Sequence, residues 1–486
     1  MDKKIRVRFA PSPTGDPHVG NIRTAVFNWL FARHNDGTVV VRVEDTDQTR
    51  EVPGATQALL ESLKWLGLDW DEGPDIGGKY GPYLQSQRLE GYRDVASQLL
   101  KSGSAYYCFC STQRLQELRN KQSRLKKDPG YDRRCREMGI SERIEWEKGK
   151  TTPVVRFKMP LEGTTSVKDM VRGTVTFENR LIDDFVLLKS DGFPTYHLAN
   201  VVDDKSMDIS HVVRAEEWLS SIPRHLQIYS ALDWSPPDFA HVPMILASDK
   251  TKLSKRHGAA SLLEYKKDGY LPEAVVNFLA LLGWSLDDKT EVLSRSELVK
   301  HFSITKVSKA GAIFDQQKLL WLNSQYLRAL DDKNLASELL KYWRSGPETG
   351  LQELPDINYL ERIVPLIRER IKIMSDALAL TRFFFDQTVD YPMEELIQKN
   401  MDHALTRSAL ESSHDLLLKI EHFNSEAMEV EMRVLADTLE IKVGQLFGSI
   451  RVAVTGLKVA PPLFESLEIL GREKVLRSIR TAIDKL

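Results

Sequence analysis

A chain of 486 residues exceeds what one hydrophobic core organises, and a prior of about 150 residues per domain points to roughly three domains. Hydrophobic residues at 42% and charged residues at 28% exclude wholesale disorder. A net charge of −2, from 67 basic and 69 acidic residues, excludes a uniformly basic nucleic-acid binder but leaves room for a local basic face. The start, MDKKIRVRFAPSP, has no apolar h-region or small-residue cleavage site and reads as unprocessed and cytoplasmic. No apolar run reaches the ~18 residues of a membrane helix.

In chain order, RVRFA (6–10) reads as a strand that stops at the Pro- and Gly-dense loop PSPTGDP. HVGNIRTAVFNWLFARH (18–34) carries Ile22, Val26, Trp29 and Leu30 near one helical stripe. TVVVRV (38–43) is a short β-branched strand ending in EDTD (44–47). This β-loop-α-β order opens a doubly wound parallel sheet, a Rossmann-like nucleotide domain. Residues 106–190 break the alternation with cysteines, a basic stretch and strand-like PVVRFKM (153–159) and GTVTFEN (173–179), and read as an α+β insertion. The earlier character resumes with FVLLKS (185–190), ISHVVR (209–214) and PMIL (243–246). From about 326 the composition is helical, rich in Leu, Glu, Lys and Arg. The whole is an α/β multidomain chain with an all-α C-terminal region. Its segments are 1–105 and 191–262 for the nucleotide domain, 106–190 for the insertion, a stem-contact region at 263–330, and helices at 331–486.

Two pieces carry the chemistry. PSPTGDPHVGN (11–21) delivers His18 and Gly20 to a helix N-terminus, where backbone N–H groups and the helix dipole favour phosphate; Gly20 is expected to let a nucleotide approach the backbone. DKTKLSKRHG (249–258) follows a strand and sets Lys252, Lys255 and Arg256 around Ser254, cations suited to charge developing on a breaking phosphate bond. Taken in order, each beside a predicted parallel strand, HVGN and KLSKR resemble the two signature motifs of class I aminoacyl-tRNA synthetases. RFAPSPTGDPHVGNIRTAVFNWLFAR, RVEDTD, LKWLGLDWDEGP, PTYHLANVVDD, VVRAEEWL, KLSKRHG and the C-terminal GLKVAPPLFESLEILGREKVL resemble the bacterial-type glutamyl-tRNA synthetase family along essentially the whole chain. Asn21 stands where the first motif's name implies His.

That resemblance implies ATP-dependent activation of glutamate and its transfer to the 3′-terminal adenosine of tRNA-Glu, with Mg²⁺ beside ATP. It implies an ATP site of Pro11, Ser12, Pro13, Thr14, Gly15, His18, Gly20, Asn21, Lys252, Leu253, Ser254, Lys255 and Arg256, with His18, Lys252 and Lys255 acting on the phosphates. A dicarboxylic substrate needs cations, and Arg8 and Arg214 end predicted strands where both can point into the crevice. Glu44, similarly placed, suits an ammonium group. The resemblance adds Ala10, Ser12, Tyr196, Asn200 and Trp218 to the glutamate pocket.

The three cysteines, Cys108, Cys110 and Cys135, suit a structural Zn²⁺ bracing a domain poor in core, and a fourth ligand is then needed. Tyr131 and Glu137 are the candidates. Residues 113–136 hold nine Lys or Arg against three acids, an excess suited to an RNA backbone, and the resemblance makes this insertion the holder of the tRNA acceptor end. The resemblance implies that Arg368 and Arg370, in a predicted helical PLIRERIK (365–372), meet the anticodon. A monomer is expected. Charging of tRNA-Gln as well, or a non-catalytic tRNA-binding role, stays open from sequence.

Overall fold

A computed structural model describes residues 4–15, 17–128, 130–139, 152–254, 261–346, 349–351 and 353–486. They form two compact units, Met1–Glu264 with Val275–Asp315, and Tyr265–Ala274 with Gln316–Leu486. Among the described residues, strands occur only in the first.

In that unit β1 (Arg6–Phe9) and β2 (Thr38–Val41) run parallel, Arg6 opposite Thr38, with the helix Val19–His34 as crossover. Val7, Phe9, Val39, Val40 and Val41 are all buried, as a sheet covered on both faces requires. The crossover helix buries more than its expected stripe: from Ala25 to Ala32 no residue reaches solvent appreciably, so it is a core helix. Ser210 extends the sheet sideways. The Arg6 N–H donates to its hydroxyl at 2.7 Å, and its own N–H donates to the Arg6 carbonyl at 2.9 Å. Beyond it, β8 (His211–Ala215) and β9 (Asp238–Val242) run parallel, with Arg214 opposite His241. β5 (Thr164–Asp169) meets β9 at Asp169 opposite Phe239 and carries the antiparallel β6 (Gly173–Glu178). Val19–His34 therefore points its N-terminus, and β1, β2 and β8 their carboxyl ends, toward one crevice.

A second, antiparallel sheet in the order β3-β4-β7 comes from Ala105–Cys108, Val154–Phe157 and Val186–Leu188. FVLLKS thus pairs with β4 rather than returning to the parallel sheet, and GTVTFEN forms a hairpin that does join it. Alternation marks a strand but does not say which edge it will take. Phe157, Met159 and Leu187 pack with Tyr92 and Leu99 of the helix Leu89–Lys101 and with Leu198 of the helix Tyr196–Ser206, so this sheet shares its core with flanking helices.

Among the described residues the regular elements of the second unit are all helices, and their continuous series starts with Gln316–Ala329, ten residues earlier than composition suggested. Asp331, Asp356, Asp402 and Asn424 each cap a helix by accepting backbone N–H bonds, the short polar side chains that such starts favour. Two apolar clusters hold it together. One gathers Leu335, Leu339, Ile363, Ile367 and Phe384; the other Leu410, Met432, Leu446, Ile450, Leu467 and Ile479. The helix expected across 365–372 stops at Ile367. Ile371 is buried in the same cluster, and the Asp376 carboxylate takes the N–H groups of Lys372 and Ile373, turning the chain instead of extending the helix.

Candidate active site

A cavity of about 430 Å³ opens at the carboxyl ends of β1, β2 and β8. Its wall includes Arg8, Ala10, Ser12, Glu44, Tyr196, Asn200, Arg214 and Trp218, every residue expected around glutamate. Pro11, Pro13, Thr14 and Asn21 from the first loop also line it. That loop is held in place by backbone bonds, from Glu44 N–H to the Pro11 carbonyl at 2.9 Å and from Val52 N–H to Pro13 at 3.0 Å.

The two arginines are buried and anchored differently. Arg8 gives Nε to Asp204 at 3.0 Å, leaving its terminal nitrogens without a protein hydrogen bond among the described residues. Arg214 gives Nε to His241 Nε2 at 3.0 Å, Nη1 to the Tyr196 hydroxyl at 2.6 Å and Nη2 to the Trp218 carbonyl at 3.3 Å. Two of its five N–H donors remain for a ligand. Glu44 accepts from Arg42 Nη2 at 3.1 Å and Asn200 Nδ2 at 3.2 Å, both on Oε1. Burial pushes its pKa up despite Arg42 and Arg8, and a cation placed on Oε2 would favour the ionised form.

Behind this wall lies a network that sequence reasoning missed. Arg42, fully buried, donates to Asp204 at 2.8 Å and lies 3.7 Å from Asp203, which also accepts from Arg88, Gln85 and Tyr92. Burial works against the Asp204 carboxylate, yet Arg8 and Arg42 hold its pKa below the usual range. A signal existed. Tyr196, Asn200 and Asp204 are spaced i, i+4, i+8 on one helix, and Arg42 and Glu44 are two apart in the segment that follows β2, so each set falls on one side.

A second cavity, about 170 Å³, is lined by His18, Gly20, Asn21, Lys252, Leu253 and Ser254, with Val19, Met244 and Ile245 as apolar walls. Asn21 and Glu217 border both cavities. The KLS segment is pinned beside the strand Ile245–Leu246 by the Leu253 N–H bond to the Ile245 carbonyl, 3.0 Å. Lys252 forms an ion pair with Glu217. Lys255 and Arg256 lie outside the described residues. Gly15 borders a small cleft beside Pro11, Ser12 and Pro13.

His18 Nδ1 accepts the N–H groups of Gly20 at 3.1 Å and Asn21 at 3.4 Å, so the imidazole caps the helix and two of its first donors are already occupied. A Cβ at Gly20 would lie 3.1 Å from the His18 ring. The glycine therefore makes room for the imidazole. With Nδ1 accepting, the ring's proton sits on Nε2.

Cys108, Cys110 and Cys135 bring their sulfurs within 4.8 Å of one another. The Tyr131 hydroxyl stands 3.3 Å from Cys108 Sγ and 3.5 Å from Cys110 Sγ, and Cys110 and Cys135 are 3.6 Å apart. Four ligands at Zn–S distances of about 2.3 Å would be separated by about 3.8 Å, so the spacing fits a tetrahedral ion. Hydrogen bonds from Cys110 and Cys135 hold the Cys108 thiol far below its ordinary pKa. Glu137 is not brought to the cluster. Its carboxylate is exposed and paired with Lys158 at 3.3 Å. The basic helix Thr112–Arg124 beside the cluster buries none of its residues.

In the helical unit, Arg368 follows a helix end and pairs with Asp332, while Arg370 is exposed and close enough to Arg451 to lower its pKa beyond the effect of burial. Among the described residues, no helix is long and apolar enough to cross a membrane.

Residues 4–321 match the family described as class I tRNA synthetases (E and Q), catalytic domain, and residues 334–483 match an anticodon binding domain. The glutamate–tRNA ligase of Dehalococcoides mccartyi is 52% identical over 486 residues, covering 100% of this chain and 99% of the relative. That of Moorella thermoacetica is 45% identical, covering 99% and 98%. A crystal structure of a glutamate tRNA ligase from Elizabethkingia meningosepticum, in complex with its amino acid, superposes with a TM-score of 0.87 at 34% identity, covering 99% of this chain and 100% of that one. The chain belongs to the glutamate–tRNA ligase family of class I tRNA synthetases.

Proposed function

We propose that the chain activates L-glutamate with ATP and transfers it to the 3′-terminal adenosine of tRNA-Glu. The observation that carries this is the convergence of Arg8, Arg214 and Glu44 in one cavity that shares Asn21 and Glu217 with the His18–Lys252 cavity. Two guanidiniums suit the carboxylates of a dicarboxylic amino acid, and Glu44 with Asn200 suits its ammonium group. The apolar walls Val19, Met244 and Ile245 suit a purine, and His18 would donate to phosphate. Lys252 would exchange Glu217 for the departing pyrophosphate, helped by Lys255. Magnesium enters with ATP as part of that substrate.

No protein nucleophile is required. The glutamate α-carboxylate, already ionised, attacks the α-phosphorus and expels pyrophosphate; a ribose hydroxyl of tRNA then takes the acyl group from the adenylate. The protein's work is positioning and charge stabilisation. The segmentation given above, with 106–190 on the acceptor end and Arg368 and Arg370 at the anticodon, belongs to the same proposal. So does a monomeric, cytoplasmic enzyme.

Zinc is proposed for Cys108, Cys110, Cys135 and Tyr131. It would tie β3 to residues 131–135 where the adjoining helix supplies no core. Zinc analysis of protein prepared without chelator should find one ion per chain, reduced by Tyr131→Phe; well under one in the wild type overturns the site.

The function is tested by charging purified tRNA-Glu and tRNA-Gln separately with radiolabelled glutamate and ATP. Charging of tRNA-Glu is expected, and the tRNA-Gln arm decides whether the enzyme discriminates. Failure on both overturns the reading.

A further inference from the structure

Arg214 and His241 are direct neighbours across β8 and β9, so both side chains leave the same face of the sheet. Arg214 can only donate, and its Nε–H points at His241 Nε2, 3.0 Å away. Nε2 must therefore carry a lone pair, and the imidazole proton must sit on Nδ1. Nδ1 lies 2.7 Å from Asp169 Oδ2, at the end of β5. That carboxylate is itself fixed, because its Oδ1 accepts the N–H groups of Val171 at 2.9 Å and Arg172 at 2.8 Å. His241 is fully buried, Asp169 is 2% exposed and Arg214 5%.

We infer that Asp169 and His241 are positioning residues which set one imidazole tautomer and through it aim the Arg214 guanidinium at the substrate carboxylate. The inference rests on reading Arg214 as a partner of glutamate. A neutral acceptor is the chemistry this place requires. A carboxylate at residue 241 would hold the guanidinium equally well, but it would neutralise the charge and compete with the substrate for it. An imidazole kept neutral orients Arg214 and leaves its charge unspent. Burial works in the same direction, lowering the pKa of His241 against the pull of Asp169.

Three variants test this in the tRNA-charging assay. Asp169→Asn keeps the shape and the Oδ1 contacts but places an amide N–H against Nδ1. The imidazole must then carry its proton on Nε2, facing the Arg214 N–H. The KM for glutamate should rise about tenfold or more, with the KM for ATP nearly unchanged. His241→Leu, which removes the acceptor, should do the same. His241→Gln offers an amide oxygen near the Nε2 position and should recover most of the loss. Equal rises in both KM values, or no advantage of Gln over Leu, would overturn the inference, as would an unchanged glutamate KM. Nitrogen-15 histidine spectra of the wild type need no altered fold. They should contain one imidazole, absent from His241→Gln, protonated at Nδ1; protonation at Nε2 refutes the relay. Wild-type protein that charges no tRNA would instead refute the proposed function itself.

Discussion

The two units bury different things. Every buried charged or histidine side chain among the described residues lies in the first unit, including Arg8, Arg42, Asp203, Asp204, Arg214 and His241. The buried polar residues of the helical unit are neutral: Asn323, Ser324, Thr381, Thr406, Ser413, Ser449, Thr455 and Ser466. Most of its hydroxyls bond a carbonyl one turn back, as Thr381 does to Ala377 and Ser413 to Ala409. The contrast follows from the work each surface suits. Handling small charged substrates requires charges held away from water in fixed geometry, whereas a platform for RNA needs charges outside and rigidity inside.

Removing one member of the buried network should do the most damage. Asp204→Ala leaves Arg8 and Arg42 without their shared carboxylate and should destabilise the first unit by about 3–5 kcal/mol, with loss of glutamate activation. Hydrogen exchange resolved by segment checks it. Protection lost equally in the helical unit would break the comparison.

Acid should act next, and on the same unit. His197 is half-buried, and desolvation with Arg224 and Arg214 lowers its pKa to about 3; the buried His225 is likewise pushed well below its ordinary value. Unfolding frees these rings to bind protons near pH 6.5, whereas the folded unit refuses them. Their contribution is present above about pH 6.5 and is lost as pH falls, for His197 down to about 3, at up to about 1.4 kcal/mol per pH unit per histidine. Urea titrations at stepped pH should show the first unit's midpoint falling faster than the second's.

Asp332→Ala sharpens the contrast from the other side. Its pair with Arg368 is partly exposed, so its loss should cost no more than about 1 kcal/mol by urea denaturation. Arg370→Ala is the mildest case. It should leave stability unchanged and raise the KM for tRNA about fivefold, near 1 kcal/mol, with the KM values for ATP and glutamate unmoved.

Much of the site was legible because its side chains sit where the chain pattern changes. Glu44 and Arg214 stand at or just beyond the end of a β-branched run and Arg8 lies in the short strand RVRF, and in a parallel sheet such carboxyl ends face one crevice. His18 and Lys252 announced themselves as polar residues in glycine-bearing loops beside strands. The cysteines were counted, and the count demanded a fourth ligand. Local sequence thus determined most of the elements and their order and marked Arg8, Glu44 and Arg214, whereas Ala10, Ser12, Tyr196, Asn200 and Trp218 followed only from the family resemblance.

Which groups face one another was decided only in three dimensions. Glu137 and Tyr131 are both near Cys135 in sequence, yet only the tyrosine turns inward, over which Arg156 stacks at 3.9 Å. Asp169, His241 and Arg214 come from three strands separated by as many as 72 residues, and nothing local relates them. The reach of a hydrogen bond is about 3 Å, whereas sequence periodicity reports only which face of its own element a side chain occupies. Partners across elements are selected by strand pairing and by the cost of leaving a buried charge alone, and both are settled when the sheet assembles.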